Sequence, residues 1–292
     1  MQLKTIKNNI INKMQEWLAS ITDEELRNKV RNNLLVSGGS ITSMLLNEEV
    51  NDYDIYIKDM DVLIALAEYY CKSYSIEVLD GRVKNIYLQN LRQDQHGIYK
   101  IVVENLKSDQ VKLYFNDKSG GLRTEHLKED AKYVPLFFSP NAISLSNNIQ
   151  IVLRFHGTTE EIHKTFDYIH ATNYFTFKEG LVTNKEALES LLTKQLKYQG
   201  SLYPLTSILR MKKFIKRGWN INAGEILKIM FQISELDLKD PNILEDQLIG
   251  VDIAYFSTLI AILRNVTNEI TSPYLNEIID KVFDASTEES GI

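Results

Sequence analysis

Residues Leu34 to Lys58 read LLVSGGSITSMLLNEEVNDYDIYIK, and this stretch decides the fold. Leu34-Leu35-Val36 is a short apolar run of the kind a buried strand makes, and Ser37-Gly38-Gly39-Ser40 ends it in a turn. Paired glycines let the backbone turn sharply and approach a ligand with no Cβ in the way. Ile41, Met44, Leu45 and Leu46 then give the apolar side of a helix. Asn47 to Asn51 is a polar break, and Asp52 to Ile57 alternates in β-forming residues, as a strand does. Ser40 therefore falls at a helix start, where its hydroxyl and main-chain N–H stand beside the positive end of the helix dipole. With Gly38 and Gly39 it makes a candidate phosphate cradle. Asp52 and Asp54, two apart on a strand, project to one face. Such a pair suits Mg²⁺ or Mn²⁺, because Mg²⁺ takes one or two carboxylates and completes its shell with phosphate oxygens and water.

Gly39, Ser40, Asp52 and Asp54, with Asp52 thirteen residues after Gly39, resemble the motif of the polymerase-beta-type nucleotidyltransferase superfamily. In that motif a hydrophobic strand runs into Gly-Gly or Gly-Ser, and a strand bearing Asp-x-Asp follows after a helix. The flanking residues are most similar to the tRNA CCA-adding branch, from which this chain departs at Ile41-Thr42-Ser43, where an Arg-Asp pair would stand. A second stretch, IQIVLRFHGTTEEIHKTFDYIHATNYF over 149–175, together with Ser139 to Leu145, is similar to nucleotidyltransferases of phages and large viruses.

The resemblance implies an α+β protein whose mixed-sheet nucleotidyltransferase core is followed by an all-helical domain. It implies transfer of a nucleoside monophosphate from a triphosphate, ATP or CTP, to an acceptor hydroxyl, with an RNA such as a tRNA 3′ end as the first choice of acceptor. A protein or small-molecule acceptor, or a nucleotide-binding module that has lost catalysis, stands as the alternative. The superfamily also implies a third metal-binding carboxylate on a neighbouring strand. Asp167, opening the β-like stretch Asp167 to Ala171, is the first candidate and Glu104 the second. In related enzymes the helical domain offers cations to the triphosphate, a role that falls here on Lys194, Lys197, Arg210, Lys213 and Arg217. A phage origin would place the protein in the cytoplasm of a bacterial host.

Outward from the motif, apolar residues at spacings of three and four from Leu3 to Ile21 predict a helix, and Asp23-Glu24 opens a second. Residues 60–74 read as helix. Period-two stretches at Ile76–Leu79, Ile98–Val103, Val111–Phe115 and Ile149–Leu153 read as strands, and Thr158–Thr165 as a short helix. After residue 184 the strand signal stops; 185–199, 204–217, 223–235, 244–265 and 274–284 read as helices. The expected organisation is a helical segment over 1–29, a catalytic domain over 30–184 and a helical domain over 185–292.

Composition excludes several classes. With 44% hydrophobic and 25% charged residues the chain is globular in type, not disordered or fibrous. One cysteine, Cys71, allows no internal disulfide and no Cys₄ zinc site. The absence of an 18-residue apolar run predicts no membrane-spanning helix, and the N-terminal residues lack the pattern of a secretory signal. A net charge of −6 argues against a surface coated for nucleic acid. The charge is uneven, however: 185–217 carries six Lys and two Arg against two Glu, whereas 218–292 carries four basic and thirteen acidic residues. A basic segment in an acidic chain points to a local anionic ligand. His156, His163 and His170 recur every seven residues, but across a strand, a helix and a strand, so packing or surface roles are expected of them.

Overall fold

The computed structural model describes residues 2–72, 77–79, 100–102, 111, 122–123, 132–139, 141–248, 253–266 and 271–283. They fall into two compact units, one of 1–166 with 170–192, the other of 167–169 with 193–292. Among them no helix is long and apolar enough to cross a membrane.

In the first unit, α1 (Leu3–Ser20) and α2 (Glu24–Asn33) lead into β1 (Leu34–Ser37). The Asp23 side chain caps α2 by accepting from the Leu26 N–H at 2.9 Å. Then come α3 (Gly39–Leu46), β2 (Tyr53–Ile57) and α4 (Met60–Lys72), the last opened by Asp59, which accepts from the Val62 N–H at 3.0 Å. Strands β3 (Glu77–Leu79) and β4 (Lys100–Val102) form a separate parallel pair. Strands β5 (Leu122–Arg123), β6 (Pro135–Phe138), β7 (Ala142–Leu145) and β8 (Ile149–Val152) follow. After them come α5 (Thr159–His163), a 3₁₀ turn (Ile169–Ala171), β9 (Tyr174–Thr176), β10 (Gly180–Val182) and α6 (Lys185–Thr193).

The sheet has eight strands in the order β10-β9-β1-β2-β8-β7-β6-β5. Only β2 and β8 pair in parallel; the rest are antiparallel, so the sheet is mixed, as the α+β expectation requires. Alternation sorts its residues between two faces. Val36, Ile55, Ile57, Ile149 and Ile151 enter one core with Ile6, Ile10, Met14 and Trp17 of α1 and Leu63, Leu66 and Cys71 of α4. Leu35 and Tyr56 point the other way, against Ile162 of α5 and Phe166. The N-terminal helix, expected as a segment of its own, is therefore built into the sheet's main core. Cys71 is fully buried there and its thiol is pushed up to about 12 by burial, so it packs as a small hydrophobe.

In the second unit β11 (Gln195–Leu196) pairs in parallel with β12 (Asn220–Ile221). Between and beyond them run α7 (Pro204–Lys216), α8 (Ala223–Ser234), α9 (Pro241–Gln247), α10 (Ile253–Arg264) and α11 (Ser272–Phe283). Leu244, Leu248, Leu259, Ile260, Leu263 and Ile278 form its core.

Four sequence expectations need correction. The helix expected over 185–199 stops at Thr193, because Lys194 turns to φ 49° and its carbonyl takes the Asn220 N–H at 2.8 Å, leading into β11. Strands thus do occur after residue 184. The single helix expected over 244–265 is α9 and α10. The β6–β7 and β9–β10 hairpins are present and were not among the expected strands. Finally, Asp167 to Ala171 is not a strand of the sheet: Tyr168 makes an isolated antiparallel bridge to Tyr198, and the 3₁₀ turn follows. Its period-two pattern reflects pairing within the second unit, where the Gln199 N–H donates to Asp167 O at 3.0 Å and the Ile169 N–H to Lys197 O at 3.1 Å. The expected strand at Ile98–Val103 is seen as β4 where described; of that at Val111–Phe115 only Val111 is described, buried in the main core, and Glu104 lies outside the described residues.

Candidate active site

The site grows from the junction of β1 and α3. Gly38 has φ 93° and ψ −145°, a conformation that side chains rarely adopt, and a Cβ there would stand 3.1 Å from Asp54 Oδ2. Glycine is needed on both counts, and the observation places the Asp54 carboxylate directly over the turn. The turn is pinned from below: the Gly38 N–H donates to Ala171 O at 3.0 Å, and the Thr42 hydroxyl lies 3.3 Å from Gly38 O and 3.1 Å from His170 O. Thr42, one of the residues standing where the CCA-adding pattern has Arg-Asp, thus fastens the turn.

Gly39 is exposed, and a Cβ added to it would meet nothing within 4 Å. Ser40 is 2% exposed, and among the described residues its Oγ has no hydrogen-bond partner. A buried hydroxyl left without a partner costs about 1–3 kcal/mol. Here it sits in the first turn of α3 beside backbone N–H groups that no helix satisfies internally. These groups fit an anion.

Asp54 lies on β2 and is half-buried; Asp52, just before the strand, is exposed. Asp54 lies on the face opposite buried Ile55. On the same face β2 pairs in register with β8, Asp54 against Gln150, while flanking Ile149 and Ile151 enter the core. The register of β1 with β2 continues to set Ser37 beside Asp54 on the other side. Ser37 Oγ lies 3.0 Å from Asn173 O, 3.2 Å from Ala171 O and 2.9 Å from His163 Nε2. Since one hydroxyl proton serves the carbonyls, Ser37 accepts from a protonated Nε2. His163 also packs on Phe166 and Tyr174, with ring centroids 5.2 and 5.6 Å away.

Burial pushes the His163 imidazole down to about 4, with the Glu160 charge opposing weakly. The sign of the linkage follows. Between about 6.5 and about 4 the unfolded chain binds a proton that the folded one does not, so stability falls as pH falls through that window. For a ring in part solvent-screened the expected loss is on the order of 1–2 kcal/mol. Denaturation midpoints at pH 7.5 and 4.5 for the wild type and His163→Gln check it: the variant should lose the difference. Equal pH slopes in both would assign the effect to other groups.

Among the described residues no group of three or more His, Cys, Asp or Glu could hold a metal ion. In the second unit Asp167 Oδ2 accepts from Arg210 Nη1 at 2.9 Å and its Oδ1 from the Tyr168 N–H at 3.0 Å. The Tyr168 hydroxyl donates to Ser207 O at 2.8 Å, so this acidic residue is part of the packing of α7. Lys194 and Lys197 are half-buried; Arg210, Lys213 and Arg217 are exposed along α7 and its C-terminal end. The structure thus brings Gly38, Gly39, Ser40 and Asp54 together in the first unit, with exposed Asp52 two residues before Asp54, and Asp167 with Arg210 in the second. Sequence reasoning missed Gln150 and Ser37. The signal for Gln150 was present, as the polar centre of Ile149-Gln150-Ile151.

Residues 8–194 match the model of a family described as "Gad2: Gabija anti-defense 2 family protein". The chain is 22% identical over 280 residues to "Gabija anti-defense 2" of Bacillus phage SPbetaL7, covering 95% of this chain and 54% of that protein. It therefore spans about half the length of the curated relative it matches. Among solved structures it is similar to the Thermotoga maritima CCA-adding enzyme complexed with tRNA, at 14% identity and TM-score 0.39, over 91% of this chain and 59% of that one. It is also similar to the Bacillus stearothermophilus CCA-adding enzyme in complex with CTP, at 12% identity and TM-score 0.37, over 86% and 51%.

Proposed function

The chain belongs to the Gabija anti-defense 2 family, and we propose that it is a divalent-cation-dependent nucleotidyltransferase, used within a bacterial host cell against that host's defence. One observation carries the reading: the Asp54 carboxylate stands over the Gly38 turn, and that turn opens the helix whose first turn holds the buried, unpartnered Ser40 hydroxyl. Main-chain N–H groups at Gly39 and Ser40 and the Ser40 hydroxyl hold the β- and γ-phosphates. Asp52 and Asp54 hold Mg²⁺ or Mn²⁺. The cation, when bound, supplies neutralisation of charge on the entering and leaving oxygens.

An acceptor hydroxyl attacks the α-phosphorus of ATP or CTP. The new ester bond forms, the α–β anhydride bond breaks, pyrophosphate leaves, and the hydroxyl proton passes to solvent or a base. Asp52 and Asp54 orient the triphosphate for in-line attack; the Ser37–His163 pair keeps β1 and the Gly38 turn in place beneath them. The second unit's cations, Lys194, Lys197, Lys213 and Arg217, bind anionic ligand, and Asp167 fixes the Arg210 guanidinium in that role.

The acceptor is an RNA 3′ end, tRNA foremost, on the likeness of the motif stretch. A second reading, a protein hydroxyl in the defence machinery, is favoured by the family's description. Incubation with each α-labelled nucleoside triphosphate and host RNA or host protein separates them by which polymer becomes labelled. Nucleotide binding without any label transfer marks a lapsed module, and absence of nucleotide binding overturns the reading.

A further inference from the structure

The face of the sheet that bears Asp54 carries a neutral residue where a further ligand would be most effective. Adjacent strands lie about 4.8 Å apart, and residues in register on one face are direct neighbours. The neighbour of Asp54 on β8 is Gln150, and across the next pairing the neighbour of Gln150 on β7 is Ser144. The row Asp54–Gln150–Ser144 is polar throughout, yet contains one charge. Its outward direction is fixed, because Ile149, Ile151, Ile143 and Leu145, which flank it in sequence, all lie in the core on the opposite face. A slip of β8 in register is the only way to turn Gln150 inward, and it would turn buried Ile149 and Ile151 out.

From this juxtaposition we infer that Gln150 is the third member of the site, a specificity-determining residue that holds its charge at two carboxylates. It thereby makes uptake of the divalent cation depend on the nucleotide. The inference rests on the nucleotidyltransferase reading and deepens it. Asp52 and Asp54 alone supply too few anionic oxygens for a cation that dehydrates reluctantly; the remaining ligands must be phosphate oxygens and water. A carboxamide beside Asp54 adds a neutral oxygen acceptor and two N–H donors. The oxygen serves as a weak cation ligand or the N–H groups meet a phosphate, and neither attracts a bare cation as a third carboxylate would. Asp52 and Asp54 would then hold the cation only together with the triphosphate.

Mn²⁺ titration followed by electron paramagnetic resonance tests this without any assay of transfer. The full chain is titrated with and without a non-hydrolysable triphosphate analogue, as wild type, Gln150→Glu and Gln150→Asp. Two acidic variants guard against one failing to fold, and circular dichroism reports folding of each. The wild type is expected to hold Mn²⁺ at least about tenfold more tightly with the analogue than without it. The acidic variants are expected to gain about tenfold or more in Mn²⁺ affinity without the analogue, from one added charge close to Asp54. Wild-type Mn²⁺ affinity indifferent to the analogue overturns the inference, as do folded variants whose Mn²⁺ affinity without the analogue is unchanged. If the wild type binds neither Mn²⁺ nor analogue, the nucleotidyltransferase reading falls and this inference with it. Analogue binding with nucleotide-independent Mn²⁺ uptake removes the role of Gln150 alone.

Discussion

Replacing Asp52 and Asp54 together by asparagine is expected to lower nucleotide transfer by about a thousandfold or more while leaving the fold intact. The loss has two physical parts. Asparagine keeps the shape of each side chain but removes the charge that draws a divalent cation, so the triphosphate is bound without the neutralisation that its developing charge requires. The amide also presents N–H groups where the cation would approach. The fold is expected to survive, because asparagine keeps the shape of each side chain, Asp52 is exposed and Asp54 is half-buried. Relief of repulsion between two like charges favours the variant slightly, within the ±0.5 kcal/mol usual for such sites. The two single variants should differ in kind. Asp54 is held over the Gly38 turn, so Asp54→Asn should match the double variant. Asp52 precedes the strand and is less constrained, so Asp52→Asn should retain more activity. Initial rates of label incorporation, with thermal midpoints beside them, check all three. A double variant that transfers at the wild-type rate would move the active site elsewhere.

How much of this was legible in the residues differs from place to place, for physical reasons. The turn and both carboxylates were readable because each needs a residue type with few substitutes: glycine at φ 93°, and acids at a spacing of two on a strand. The long helices were readable because period 3.6 repeats several times within them. Short strands were legible only where alternation ran on past them, as at β3, β4 and β8; β9, β10 and the β6–β7 hairpin escaped. Asp167 shows a deeper limit. Its alternating context correctly signalled extended pairing, but sequence carries no sign of which partner is paired, and the partner is the segment around Tyr198. The same holds for Gln150, whose relation to Asp54 exists only through the register of two strands about a hundred residues apart in sequence.

The largest stability effect is expected from Trp17→Ala, at about 3–5 kcal/mol, the range for deleting a buried aromatic. Trp17 is fully buried on α1, and its indole N–H donates to the Tyr70 hydroxyl of α4 at 2.9 Å. It lies in one core with Ile55 and Ile57 of β2, so the N-terminal helix contributes directly to the strand that carries Asp54. Against a typical total of about 5–15 kcal/mol, a loss of that size threatens the first unit's folding outright. Trp17→Phe is expected to cost less than Trp17→Ala: it keeps one aromatic ring in the core but removes the donor to Tyr70 and the volume of the second ring. The chain has two tryptophans, and the other, Trp219, lies in the second unit. Fluorescence of Trp17→Ala therefore follows the second unit alone, while far-ultraviolet circular dichroism follows both. Urea titration should show the dichroism midpoint lowered with the Trp219 midpoint little changed. Were α1 an appendage outside the core, Trp17→Ala would cost less than about 1 kcal/mol, as exposed substitutions do. A dichroism midpoint within that margin of the wild type would refute the placement of this helix beneath the site.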